Sequence, residues 1–171
     1  MAKIVKVDRR NVTFAQMLAI SSPFDGQKVY VTDSTVKSEF TYDSTESTWY
    51  APGFDVLTNN SGGALNAGDV VIQDTTTDDG IVTTTTEGDE TVVGVIVVGG
   101  ANGTTVLAKN AGEVDVNKIA GTANRGDHIY TSTTAGQVNF NSSSGTGDFG
   151  LVTEQSSGST VRMKFKITET F

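Results

Sequence analysis

The chain holds one histidine, His128, and no cysteine, so its capacity for chemistry rests on few groups. A lone imidazole can serve as a general base or a metal ligand. As the base of a serine nucleophile it would need a context such as Gly-x-Ser-x-Gly, which does not occur. Zinc would need a second His or a Cys set at ligand spacing, and neither is present. His128 follows the Gly126-Asp127 turn and opens an alternating stretch, so a structural role is expected. The other titratable cluster is acidic: Asp74, Asp78, Asp79, Glu87, Asp89 and Glu90. Carboxylates suit calcium, but their spacing matches no EF-hand loop, and a solvated loop surface is the expectation. Gly94, Gly99, Gly100 and Gly103 lack the strand–Gly-x-Gly-x-x-Gly–helix context of a phosphate loop. Arg125-Gly126-Asp127 spells an adhesion tripeptide, yet its Gly-Asp recurs as a turn at Gly68-Asp69. The chain is therefore expected not to be an enzyme, with no catalytic, cofactor-binding or metal-binding residue.

Binding is the better prospect. Tyr42, Trp49 and Tyr50 sit within an aromatic group that also includes Phe40 and Phe54. Aromatic rings with polar tips suit glycans or protein partners, although in a small module they also form core. Lys3, Lys6, Arg9 and Arg10 concentrate positive charge at the start, with Asp8 the one acid among the first ten residues. The net charge is -8, and no Lys or Arg occurs between Lys37 and Lys109. Such a stretch repels a phosphate backbone, so no nucleic acid is expected as a partner. The longest apolar run, 92–98, is too short to cross a bilayer as a helix, so no membrane is expected either.

These residues must be positioned by strands. The composition has 19 Gly and 2 Pro, with Thr, Val, Ile and Tyr in short alternating runs. Branched and aromatic side chains pack well on a pleated surface, so the fold class is all-β. One short helix is predicted over 13–20, with Thr13 as N-cap and Phe14, Met17 and Leu18 at helical spacing. At 171 residues the chain can bury roughly 70% of its unfolded surface without metal or disulfide.

An internal repeat organises the rest. Gly68-Asp-Val-Val-Ile-Gln-Asp-Thr-Thr76 answers Gly126-Asp-His-Ile-Tyr-Thr-Ser-Thr-Thr134. Gly94-Val-Ile96 answers Gly150-Leu-Val152, and Thr104-Thr-Val106 answers Ser159-Thr-Val161. Ordered matches at nearly constant offset indicate a duplicated unit. The expected organisation is an N-terminal arm (1–12), a small β module with the helix (13–53), and a β-barrel- or sandwich-like domain (54–171). Within the last, 64–108 and 122–163 are the pseudo-repeats.

Two stretches resemble tailed-phage structural proteins. Residues 13–49 look like a small β module of phage fibre and head-surface proteins, through Leu18, Ser22-Pro-Phe-Asp-Gly26, Val29-Tyr-Val-Thr-Asp33, Phe40-Thr-Tyr42 and Trp49. The remainder resembles a capsid decoration, or cement, family. That likeness is carried by Asn60-Ser-Gly-Gly-Ala-Leu-Asn-Ala-Gly-Asp-Val-Val71, Gly94-Val95, Gly112-Glu-Val-Asp-Val116, Ala123-Asn-Arg-Gly-Asp-His-Ile-Tyr130 and Gly150-Leu-Val152. The resemblance implies a small β-barrel-like protein, often a homotrimer, bound to the major capsid protein on the outside of the phage head. The protein would be made in the host cytoplasm. Lys3, Lys6, Arg9 and Arg10 would then be an arm that orders on the capsid, and the acidic segment 69–90 would face solvent. The N-terminal module departs from minimal cement proteins, which keeps open a tail-fibre or receptor-binding role in which Tyr42, Trp49 and Tyr50 read a host glycan.

Overall fold

The computed structural model describes residues 10–166. It is nearly all β, 3% helical and 44% strand. The chain divides into two compact units between Val56 and Leu57.

The first unit opens with β1 (Arg10–Val12) and α1 (Phe14–Leu18). A capping box starts the helix. Thr13 Oγ1 accepts from the Gln16 amide, and Gln16 Oε1 accepts from the Thr13 amide. Phe14 and Met17 are its buried residues. Then come β2 (Lys28–Val31), β3 (Ser38–Asp43) and β4 (Thr48–Tyr50), in a sheet of order β1-β2-β3-β4. Alternation turns Val29, Val31, Phe40 and Trp49 inward. The sequence places residues 10–12 in an arm that orders on contact with the capsid. They pair in parallel with β2 instead, Arg10 opposite Val29 and Val12 opposite Val31. Lys3, Lys6 and Arg9 lie outside the described residues.

Two five-stranded sets follow, the first strand of which runs through the boundary at Leu57. The first set comprises β5 (Phe54–Asn59), β6 (Val70–Gln73), β7 (Gly80–Val82), β8 (Val92–Val98) and β9 (Thr105–Lys109), closed as a barrel in the order β5-β7-β6-β8-β9. The second comprises β10 (Glu113–Asn117), β11 (His128–Thr131), β12 (Val138–Asn141), β13 (Gly150–Val152) and β14 (Thr160–Phe165), ordered β10-β14-β13-β11-β12. Read from the other side of the ring, the two orders are the same. A parallel bridge between Lys118 and Val138 links the ends of the second set, as Asn59 pairs in parallel with Ile81 in the first.

Register is shared as well as order. Val70 faces Val95 and Val71 faces Gly94; His128 faces Leu151 and Ile129 faces Gly150. The shift is 58 on one strand (128 − 70) and 56 on the other (151 − 95). Gly68 N–H donates to Ile96 O as Gly126 N–H donates to Val152 O. Both glycines have positive φ, 93° and 90°, where an L side chain is strained. The cores correspond too. Leu65, Val71, Ile81, Ile96, Val106 and Ala108 match Ala123, Ile129, Val138, Val152, Val161 and Met163, all buried. Leu becomes Ala at one position and Ala becomes Met at another, so the volume lost is regained.

Candidate functional site

Three strand ends bring together three titratable side chains. His128 opens β11, Asp148 precedes β13 and Lys166 follows β14, and these three strands are neighbours. His128 Nδ1 lies 2.5 Å from Asp148 Oδ2, and Lys166 Nζ donates to the same oxygen. Lys166 Nζ is 3.2 Å from His128 Nδ1. The Asp148 side chain is only 4% exposed, and its Oδ1 is buried without a hydrogen bond. A buried carboxylate is therefore held by two basic side chains, as a buried charge must be. A hydrolytic relay would need a nucleophile on the other ring nitrogen, and among the described residues His128 has no side-chain hydrogen-bond partner but Asp148 and Lys166. The geometry suits a tie between strand ends.

The acidic residues divide by role. Asp69 Oδ2 accepts from the Asn66 amide, and Asp127 Oδ2 from the Asn124 amide, both at 2.8 Å. Each closes the turn before a repeated strand. Asp74 accepts from Asn60 Nδ2 and from the amide and hydroxyl of Thr76, and these bonds, Asn60 first, lower its pKa to about 2. Asp89 is held likewise by Thr91 and Thr84, which lowers its pKa. The expectation of a purely solvated acidic surface is thus corrected: Asp74 and Asp89 fasten loops, whereas Asp78 and Asp79 are exposed. No three His, Cys, Asp or Glu side chains come together to hold a metal among the described residues. The Arg-Gly-Asp tripeptide is not a free loop either. Arg125 Nε donates to Thr153 O, and Asp127 is buried in its turn.

The aromatic expectation needs one correction. Trp49 is 5% exposed and packs against Tyr42 with ring centroids 5.2 Å apart, so it belongs to the core. Tyr50, the next residue, points the other way and is 53% exposed. Trp49 and Tyr50 therefore cannot form one platform. Register puts Tyr50 instead on the face of Thr41, Glu39, Lys28 and Tyr30, the last 40% exposed. The alternation of Lys28-Val-Tyr-Val31 already carried that signal for Tyr30. Lys28 and Glu39 form a 2.7 Å ion pair on this face.

A groove on the second five-stranded sheet completes the surface features. It has a volume of about 610 Å³, with Leu151, Val152 and Phe165 among its apolar lining and Arg125, Lys164 and Lys166 as its charged residues. The outer face of β14 is otherwise neutralised. Arg162 makes a two-pronged bond to Asp115 on β10, which raises the Arg162 pKa and lowers that of Asp115.

The sequence matches no protein-family model, and no curated protein matches it.

Proposed function

We propose that this protein is a structural virion component that binds the outside of a phage capsid and stabilises it. The observation that carries the reading is the pair of β-ring units with common strand order and register, joined by side-chain and backbone hydrogen bonds into one compact unit. A clamp on a shell under internal pressure needs rigidity and area, and two repeated β units packed in one compact unit suit that role. The resemblance of residues 60–152 to cement proteins supplies the partner, the major capsid protein, and the expectation of a homotrimer. Several copies around one axis would gain avidity from simultaneous attachment.

A second reading, a fibre component that recognises a glycan, is favoured by the exposed Tyr30 and Tyr50 on one sheet face. Copy number separates the two. Quantitative mass spectrometry of purified virions should find this chain in numbers comparable with the major capsid protein. A count typical of a few fibres per particle would reject decoration in favour of the second reading.

A further inference from the structure

We infer that the second unit binds a single neutral sugar, the end residue of a glycan, in a pocket where the β7–β8 loop meets the loop after β12. The site uses none of the residues of the Tyr30 and Tyr50 face and depends on neither reading above.

The pocket has a volume of about 300 Å³, at the lower end of the range for small-molecule sites. Glu87 lines it from the β7–β8 loop, Tyr130 from β11, Asn139 and Asn141 from β12, and Ser143 from the loop that follows. Bonds among these residues fix their functional groups. Asn139 Nδ2 donates to Glu87 Oε1 at 2.5 Å, which orients the carboxylate and leaves Oε2 to a ligand. Asn141 Oδ1 accepts from the Ser143 amide at 3.1 Å, which leaves the Asn141 NH2 to donate. The Tyr130 hydroxyl donates to Ser143 O at 2.7 Å, so the ring is tied to this loop. Gly145 keeps the approach close: a Cβ there would lie 3.4 Å from the Tyr130 hydroxyl oxygen. Groups ordered before a ligand arrives lessen the cost of binding it.

The fold itself does not require these polar groups. Tyr130 faces Asn139 across the β11–β12 pair, and the equivalent pair in the first set is Ile72 facing Val82. Two aliphatic side chains make the same pairing there, so the hairpin has no need of a phenol and an amide. The lining then selects its ligand. Among the described residues that form it there is no Lys, Arg or His, so a phosphate or carboxylate would meet only repulsion from Glu87. Tyr130 is its one large apolar side chain, which leaves an apolar ligand poorly matched. A cation would suit Glu87 but find few free acceptors, since Asn139 Oδ1 and Asn141 Oδ1 already accept the Phe140 and Ser143 amides. A ring of hydroxyls satisfies all three groups. One hydroxyl donates to Glu87 in a charge-assisted bond, and another accepts from the Asn141 NH2. The apolar C–H face of the sugar packs on Tyr130.

The test is heteronuclear NMR of the full chain, titrated with the methyl glycosides of glucose, galactose, mannose and N-acetylglucosamine. Their blocked anomeric oxygen stands for the link to the rest of a glycan, and EDTA is present throughout. At least one should shift the amides of Gly88, Ser143 and Gly145 saturably, with a millimolar Kd. Glu87→Gln should weaken that binding about tenfold through loss of a charge-assisted bond. Tyr130→Ile installs the residue that the first repeat carries and should abolish binding. Tyr50→Ser should leave it unchanged. No saturable shift with any glycoside, shifts confined to the Tyr30 and Tyr50 face, or an affinity unaltered in Glu87→Gln and Tyr130→Ile would overturn the inference. Loss of spectral dispersion in Tyr130→Ile would mark it as unfolded, and Glu87→Gln then decides alone.

Discussion

Lys118 and Asn59 occupy equivalent places in the two five-stranded sets and solve the same problem with different chemistry. Each is buried; Asn59 ends β5 and Lys118 directly follows β10. Asn59 Nδ2 donates to the carbonyls of Gly63 and Gly100. Lys118 Nζ donates to those of Ile119 and Gly121 and lies 5.2 Å from the Phe140 ring centroid. Lys118→Ala should cost about 2–4 kcal/mol in urea unfolding, because it strands carbonyls and opens space beneath Phe140. Lys118→Met should cost less, since the stem still fills the space. Asp74 gives a pH prediction. Its folded pKa of about 2 lies below the ordinary aspartate value, so its hold on the hairpin is complete above about pH 4 and is lost as pH falls through 2. Amide exchange at Thr76 and Gly80 should accelerate over that window, and Asp74→Asn should remove the dependence. At this scale the sequence was partly legible. The Thr13 cap and the repeated Gly-Asp turns could be read locally. The Asp148 tie could not, because His128, Asp148 and Lys166 are far apart in the chain and only strand order unites them.

Strands read well from alternation, and their pairing partners did not. The parallel pairing of 10–12 with β2 went unforeseen because three residues carry too little periodicity to mark a strand. The repeat, by contrast, was visible because turns mark register, and it leads to a prediction about glycines. A Cβ on Gly94 would lie 2.6 Å from the Lys109 carbonyl oxygen, whereas a Cβ on Gly150 would meet first the Met163 methyl at 2.4 Å. Backbone cannot yield, but a methionine can swing away. Gly94→Ala should therefore cost about 2–3 kcal/mol and Gly150→Ala about half that, measured as shifts in denaturation midpoint. Equal losses would contradict the assigned packing. Deleting residues 1–9, which include Lys3, Lys6 and Arg9, should weaken capsid binding more at low salt than at high, since screening acts over about 8 Å at physiological ionic strength.

The barrel and the second sheet belong to one compact unit, and the loop between β7 and β8 lies against the second sheet. Thr131 Oγ1 donates to Thr86 O and accepts from the Asp89 amide, while Asn139 Nδ2 donates to Glu87 Oε1. Gly88 and Gly147 pack so closely that a Cβ on Gly147 would fall 2.0 Å from the Gly88 carbonyl oxygen. This seam was invisible in sequence, where Glu87, Asp89 and Glu90 read as part of a solvated acidic loop surface. Thr131→Val keeps the volume and removes both bonds, so it should split a shared thermal transition of the two five-stranded sets into two. Persistence of one sharp transition would show that the seam contributes little. The central claim is that this body clamps a capsid. Its most direct test is to add the purified protein to undecorated capsids and heat them, following DNA release by dye fluorescence. The account predicts saturable binding and a higher release temperature. Binding that leaves the release temperature unchanged, or no binding at all, would contradict it.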